Sequence, residues 1–203
     1  YEVEAGTNEF VTDALFSTIT NANFDDESIL ARVRKGLELR DRLKVRAVEA
    51  GIVLPEADEL TWNGKEEEYL SKSASVGVLR EPNEDLRSLK ELLMYGLKGM
   101  AAYHEHAMRL GFADEAIHAF MQSALARITT QTMGADELVA LVLEAGQHGV
   151  QVMALLDRAN TTRYGHPELT KVNIGVGKNP GILISGHDLH DLEELLRQTE
   201  GTG

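Results

Sequence analysis

The chain has 203 residues, with 33 acidic against 20 basic side chains, a formal net charge of −13 and 43 % hydrophobic content. These are the proportions of a folded globular protein of one or two domains, and the acidic excess opposes binding to a phosphate backbone or an anionic membrane. With no cysteine, the chain can form no disulfide, thiolate nucleophile, Cys-ligated zinc site or self-contained iron–sulfur cluster.

The opening residues Glu9 to Phe16 read as a short helix or turn. Thr18 to Asp26 follow, rich in side chains that cap a helix by accepting from its free N–H groups, so a helix is expected from about Asp26. Its apolar positions Ile29, Leu30, Val33, Leu37, Leu43 and Val48 make one sticky face, and Gly51 is its natural terminator. Pro55 to Gly64 is loop-like, and Lys65 to Ser73 is compatible with a short helix. Pro82-Asn-Glu-Asp85 is a helix start with acids in the first turn. The helix it opens carries Leu86, Leu89, Leu92, Leu93, Leu97, Met100, Ala101 and Ala107, and ends at Leu110-Gly111. Gly96 and Gly99 inside it each cost about 1 kcal/mol relative to alanine, which points to another element pressed against that face. Two more amphipathic helices are expected over Asp114–Ile128 and Asp136–Asn160.

No run of about 18 uninterrupted apolar residues suggests a membrane span, and no basic start with an apolar stretch suggests a signal peptide. The expected location is cytoplasmic, with neither nucleic acid nor membrane as partner. Character changes at Tyr164-Gly-His-Pro167, after which Val172, Ile174 and Val176 alternate with polar or small residues and Gly181-Ile-Leu-Ile184 forms a compact β-like run. A helix is expected from Asp188 to about Thr199. The fold class is therefore mainly α: a helical bundle domain over 1–168, then the first strand and helix of an incomplete Rossmann-like α/β domain over 169–203. A strand needs neighbours for its N–H and C=O groups, and no second parallel strand follows the crossover helix. That shortfall, together with a first residue of Tyr1 rather than Met, leads to the expectation that the chain is a piece of a longer protein.

Several residues could carry chemistry. His187, at a strand-to-helix turn after Ser185-Gly186, has the rigid mount of a metal ligand; the plainer reading of the spacing alone is that it caps or packs at the helix start, with Asp188 answering the helix dipole. His187, His190 and Glu194 share a helical face and could bind zinc, although His190 among acids reads more simply as solvated. Glu115-Ala-Ile-His118 matches half of a diiron Glu-x-x-His pattern, but without a second copy a surface placement is expected. Gly175-Val-Gly177-Lys-Asn-Pro-Gly181 leads into a strand and not a helix, so it reads as a turn and not a dinucleotide loop. His104-Glu105-His106 reads as mostly exposed.

Four blocks in order, Phe16-Ser-Thr-Ile-Thr-Asn-Ala-Asn-Phe-Asp25, Tyr95-Gly-Leu-Lys-Gly-Met-Ala-Ala-Tyr103, Tyr164-Gly-His-Pro167 and Gly181-Ile-Leu-Ile-Ser-Gly-His-Asp-Leu189, resemble the hybrid-cluster, or prismane, proteins, which are hydroxylamine reductases. The resemblance covers nearly the whole chain. It implies a cysteine-rich segment with a [4Fe–4S] cluster ahead of a helical domain of two three-helix bundles, then two Rossmann-like domains. It also implies a hybrid iron–sulfur–oxygen cluster held by one histidine, two glutamates and several cysteines, and makes His187 that histidine. Thr20 and Asn21, in the first block, are expected near the clusters, or else as caps of the helix at Asp26. The implied reaction is reduction of hydroxylamine to ammonia or of NO to N2O, with electrons from an external donor. The other cluster ligands belong to family segments absent here, so this chain alone is expected to be inactive and to need the remainder of its parent chain. The alternative is a non-enzymatic helical scaffold or interaction domain.

Overall fold

The computed structural model describes residues 5–19, 24–129, 132–186 and 188–202. Its elements are α1 (Ala5–Phe16), α2 (Asp26–Glu49), the short α3 (Asp58–Thr61) and α4 (Tyr69–Ser73), α5 (Glu84–Arg109), α6 (Glu115–Ile128), α7 (Ala135–Tyr164) and α8 (Leu189–Thr199), with single 3-10 turns at Glu66–Glu68 and Val78–Arg80. The mainly α architecture is the one expected. Local signals account for the boundaries. The Asp25 carboxylate accepts from the Ser28 amide and opens α2, Asn83 accepts from Asp85 and Leu86 and opens α5, and Asp114 accepts from Ala116 and opens α6. Helices α2, α5 and α7 are each left through a glycine at positive φ: Gly51 (77°), Gly111 (83°) and Gly165 (84°).

The core lies where α5 packs along α7, with α6 against α7 and α1 against α5. Leu93, Leu97, Met100, Ala101 and Ala107 form one stripe of α5; Leu138, Leu141, Ala145, Val152 and Leu155 face them from α7, and Ile117, Met121 and Ala124 from α6. The buried Leu, Ile, Val and Met side chains among them each contribute about 1.5–3 kcal/mol. One 18-residue window of α7 has a mean hydropathy of 1.4 and is 28 % buried, so by length and composition alone this helix could cross a membrane. Its inner face is nonetheless a wall of the core. At the start of α5 an enclosed ion pair, Lys90 Nζ to Glu81 Oε2 at 2.8 Å, ties the helix to the turn before it.

A polar seam joins α1 to α5 and α6. His104 and His118 are both buried, with ring centroids 4.3 Å apart. The Asp114 amide donates to His104 Nε2 (3.3 Å), which must therefore keep its lone pair. Thr12 Oγ1 lies 3.5 Å from His118 Nδ1, and Asn8 bridges to Glu115 and Gln122. Burial pushes the His104 imidazole down to about 4, with the neighbouring His118 acting in the same direction, and burial likewise lowers His118.

The structure departs from the sequence-based expectations in four places. No strand occurs among the described residues: 165–185 carry no regular structure, and Ile174, Val176 and Leu183 are almost fully exposed. An apolar alternation supplies a strand's side chains but not its hydrogen-bonding neighbour, and none is present. Gly96 and Gly99 are not under a closely pressed element. A Cβ at Gly96 would meet only Ala145 Cβ at 4.0 Å, and one at Gly99 nothing within 4 Å; both line an open apolar groove between α5 and α7, with Gly146 and Gly149 opposite. His104 is wholly buried and His106 half-buried, where exposure was expected. Of the Glu115/His118 pair, Glu115 is at the surface as expected and His118 is not.

Two outcomes follow. Gly99→Ala should stabilise the chain by about 0.5–1 kcal/mol, because it removes unfolded-state freedom at an unobstructed helical site; a lowered denaturation midpoint would contradict the open groove. Since the folded His104 titrates near 4 and its unfolded counterpart near 6.5, the unfolded state binds the extra proton in between. Stability is then full above pH 6.5 and falls by about 3 kcal/mol on descending to pH 4. His104→Gln, which keeps an acceptor for Asp114 but does not titrate, should show a smaller loss over that window in denaturant midpoints measured against pH.

Candidate functional site

Three residues were placed at or near the clusters by the family resemblance, Thr20, Asn21 and His187, and all three lie outside the described residues. Their chain neighbours are described, and these converge on a single side chain of α5. Residues 104 and 106 are about 200° apart around a helix, so His104 turns toward α6 while His106 turns toward the end of α1 and the start of α8. The Phe16 ring meets the His106 ring edge-on, with centroids 5.5 Å apart and planes at 74°. From the other side, His106 Nδ1 contacts the Asp188 carboxylate.

Asp188 does two things at once. Its Oδ1 accepts from the Asp191 amide at 2.7 Å, capping α8, and its other oxygen faces His106. Burial works against its ionisation, but the Asp191 amide, the His106 ring and Arg109 outweigh it and hold the carboxyl below the usual carboxylate range. Beyond this cap, Arg109 reaches Asp191 at 3.4 Å. Glu193 receives Arg163 at 2.6 Å and the Tyr164 hydroxyl at 3.0 Å, and the Arg163 hydrogen bond, followed by that of Tyr164, keeps its carboxyl low. The acidic first turns of α8 are thus docked on the basic carboxyl-terminal ends of α5 and α7, a pairing that also suits both helix dipoles.

The site so formed is a meeting point of three chain segments and has no complete donor set of its own. No three His, Asp or Glu residues come together in a metal-holding arrangement among the described residues, and the chain has no cysteine. These residues do not by themselves fit an iron–sulfur cluster. Of the zinc reading on His187, His190 and Glu194, the described part offers no support, since Glu194 is engaged by Arg197 at 2.6 Å. His106 was missed by sequence reasoning. Its neighbour His104 was recoverable, falling three and four residues after Ala101 and Met100 on the buried stripe. Nothing local marks His106, whose partner is 82 residues away.

Residues 1–203 match the Prismane/CO dehydrogenase family. A hydroxylamine reductase of Desulfitobacterium hafniense (strain DSM 10664 / DCB-2) is 61 % identical over 204 residues, covering 99 % of this chain and 37 % of that protein. Those of Porphyromonas gingivalis (strain ATCC 33277) and Clostridium botulinum (strain 657) are 60 % and 52 % identical, over 95 % and 97 % of this chain and 35 % and 39 % of theirs. The chain therefore spans a little over a third of the length of the curated relatives it matches. Similarity at this level along the whole chain settles the affiliation: the chain belongs to the Prismane/CO dehydrogenase family.

Proposed function

We propose that this chain is the helical part, with the start of the following domain, of an iron–sulfur oxidoreductase that reduces hydroxylamine: NH2OH + 2 H+ + 2 e− → NH3 + H2O. The observation that carries the reading is 52–61 % identity to hydroxylamine reductases over 97–99 % of this chain in two of the relatives named above. Their names favour hydroxylamine over NO, whose two-electron reduction to N2O is the finer alternative. In this reading the division falls near residue 168. His187 is the chain's contribution to a hybrid iron–sulfur–oxygen cluster, Thr20 and Asn21 lie near the clusters, and an external donor delivers electrons through a [4Fe–4S] cluster, in the cytoplasm.

When bound, such a cluster supplies an open iron position and stores electrons. The part assigned to this chain is to hold one imidazole in place and to enclose it. Support comes from the docking of α8 onto α5 and α7 beside position 187, and from the open apolar faces. Neither α2 nor α8 has a fully buried residue, which suits elements that pack against more protein. The scaffold alternative draws on the incomplete donor set of these residues.

The two readings separate on metal. In the full-length protein, His187→Ala should remove or distort the hybrid-cluster EPR signal and lower the iron count while the [4Fe–4S] signal persists, and hydroxylamine reduction should fall at least a hundredfold. The 203-residue chain alone should bind no cluster and reduce nothing. An unchanged hybrid signal in His187→Ala would strike His187 from the ligands, and an iron-free, inactive full-length protein would favour the scaffold.

A further inference from the structure

The His106–Asp188 contact differs from the other links between α8 and the bundle. Side-chain exposure is 24 % for His106 and 15 % for Asp188, against 41 % and 48 % for Arg109–Asp191 and 57 % and 37 % for Arg163–Glu193. Exposed pairs of long side chains contribute little, because water screens them and ordering them costs entropy. The enclosed contact between two short side chains escapes most of both costs. It is therefore the least exposed and least screened of these three links at the α8 amino end.

The same ring is also fixed from behind by Phe16, the residue from which the chain runs through Ser17, Thr18 and Ile19 toward Thr20 and Asn21. One side chain thus touches the flanks of both segments in which the sequence placed its candidate residues. It does so from a helix anchored along its length by the α5–α7 core. His106 takes no part in that core, for its face of α5 is turned away from Leu97, Met100 and His104.

We propose that His106 is a positioning residue: its contact with Asp188 latches the amino end of α8 to the last turns of α5, and thereby holds the stretch of chain adjoining position 187 against the helical bundle. In the latch, Nδ1 of His106 faces the carboxylate oxygen of Asp188 that the cap leaves free. One oxygen of Asp188 caps α8 and the other faces His106, so removing His106 takes away no hydrogen-bond partner of the cap, and faster opening of the cap amides reports loss of the latch. The inference rests on the proposed function only for the importance of position 187; the latch itself stands on the geometry.

The test is amide hydrogen exchange in the 203-residue chain, read at Asp191 and Leu192, whose N–H groups donate to the side chain and the carbonyl of Asp188. His106→Ala should speed exchange at these two amides at least tenfold while leaving core amides of α5 and α7 within about twofold. His106→Asn, whose side-chain nitrogen stands near the place of Nδ1, should restore most of the protection. Unchanged exchange in the alanine variant, equal acceleration throughout the core, or failure of asparagine to rescue would each overturn the latch. In the full-length protein, the hybrid-cluster EPR signal should shift in His106→Ala and recover in His106→Asn, and an unshifted signal would overturn the link to position 187. If His187→Ala leaves that signal unchanged, the ligand assignment fails while the exchange result still decides the latch.

Discussion

The structure depends on α5 serving four neighbours at once, α7, α6, α1 and α8. Its 26 residues place one apolar stripe against α7, and that burial supplies the bulk of the chain's stability. The helical period then distributes what remains near its carboxyl end: His104 to the seam with α6 and α1, His106 to Phe16 and Asp188, Arg109 to Asp191. A helix fixed along its length by core packing gives these side chains a rigid mount, so the packing of α5 on α7 underlies the contacts of His106 with Phe16 and Asp188.

The two histidines of α5 show how neighbouring residues of the same type acquire opposite roles. His104 is enclosed, accepts a backbone hydrogen bond and is held neutral by burial, so its role is to join α5 to the cap of α6. His106, two residues on, stands at the rim, between an aromatic edge and a carboxylate. The difference comes from rotation about a helix axis and not from anything in the chemistry of the side chains.

Most helix boundaries were legible because they are local: Asp25, Asn83 and Asp114 cap with their own side chains, and Gly51 and Gly111 terminate with their own backbone, whereas α7 runs to Tyr164, four residues past the expected end at Asn160, before Gly165 stops it. What the sequence did not reveal is non-local. The run at 181–184 has a strand's composition but no strand beside it. Gly96 and Gly99 have the spacing of a close-packed face, and spacing does not distinguish a face under pressure from one that borders an open groove. Of the apolar positions read as one face of α2, Ile29, Leu30, Leu37 and Leu43 are half-buried, whereas Val33 and Val48 are exposed. His118 was assigned to the surface with Glu115, although it is three residues from buried Met121 and so on the inner face. The family likeness was legible from four short blocks, whereas the contact between His106 and Asp188 required coordinates.

The central proposal is that one histidine nitrogen of this chain binds iron in the full-length protein. Pulsed EPR on that protein labelled with 15N only at histidine tests it most directly. The account predicts a single strongly coupled 15N nucleus at the hybrid cluster, absent in His187→Ala. A cluster with no coupled histidine nitrogen, or one whose coupling survives that substitution, would contradict it.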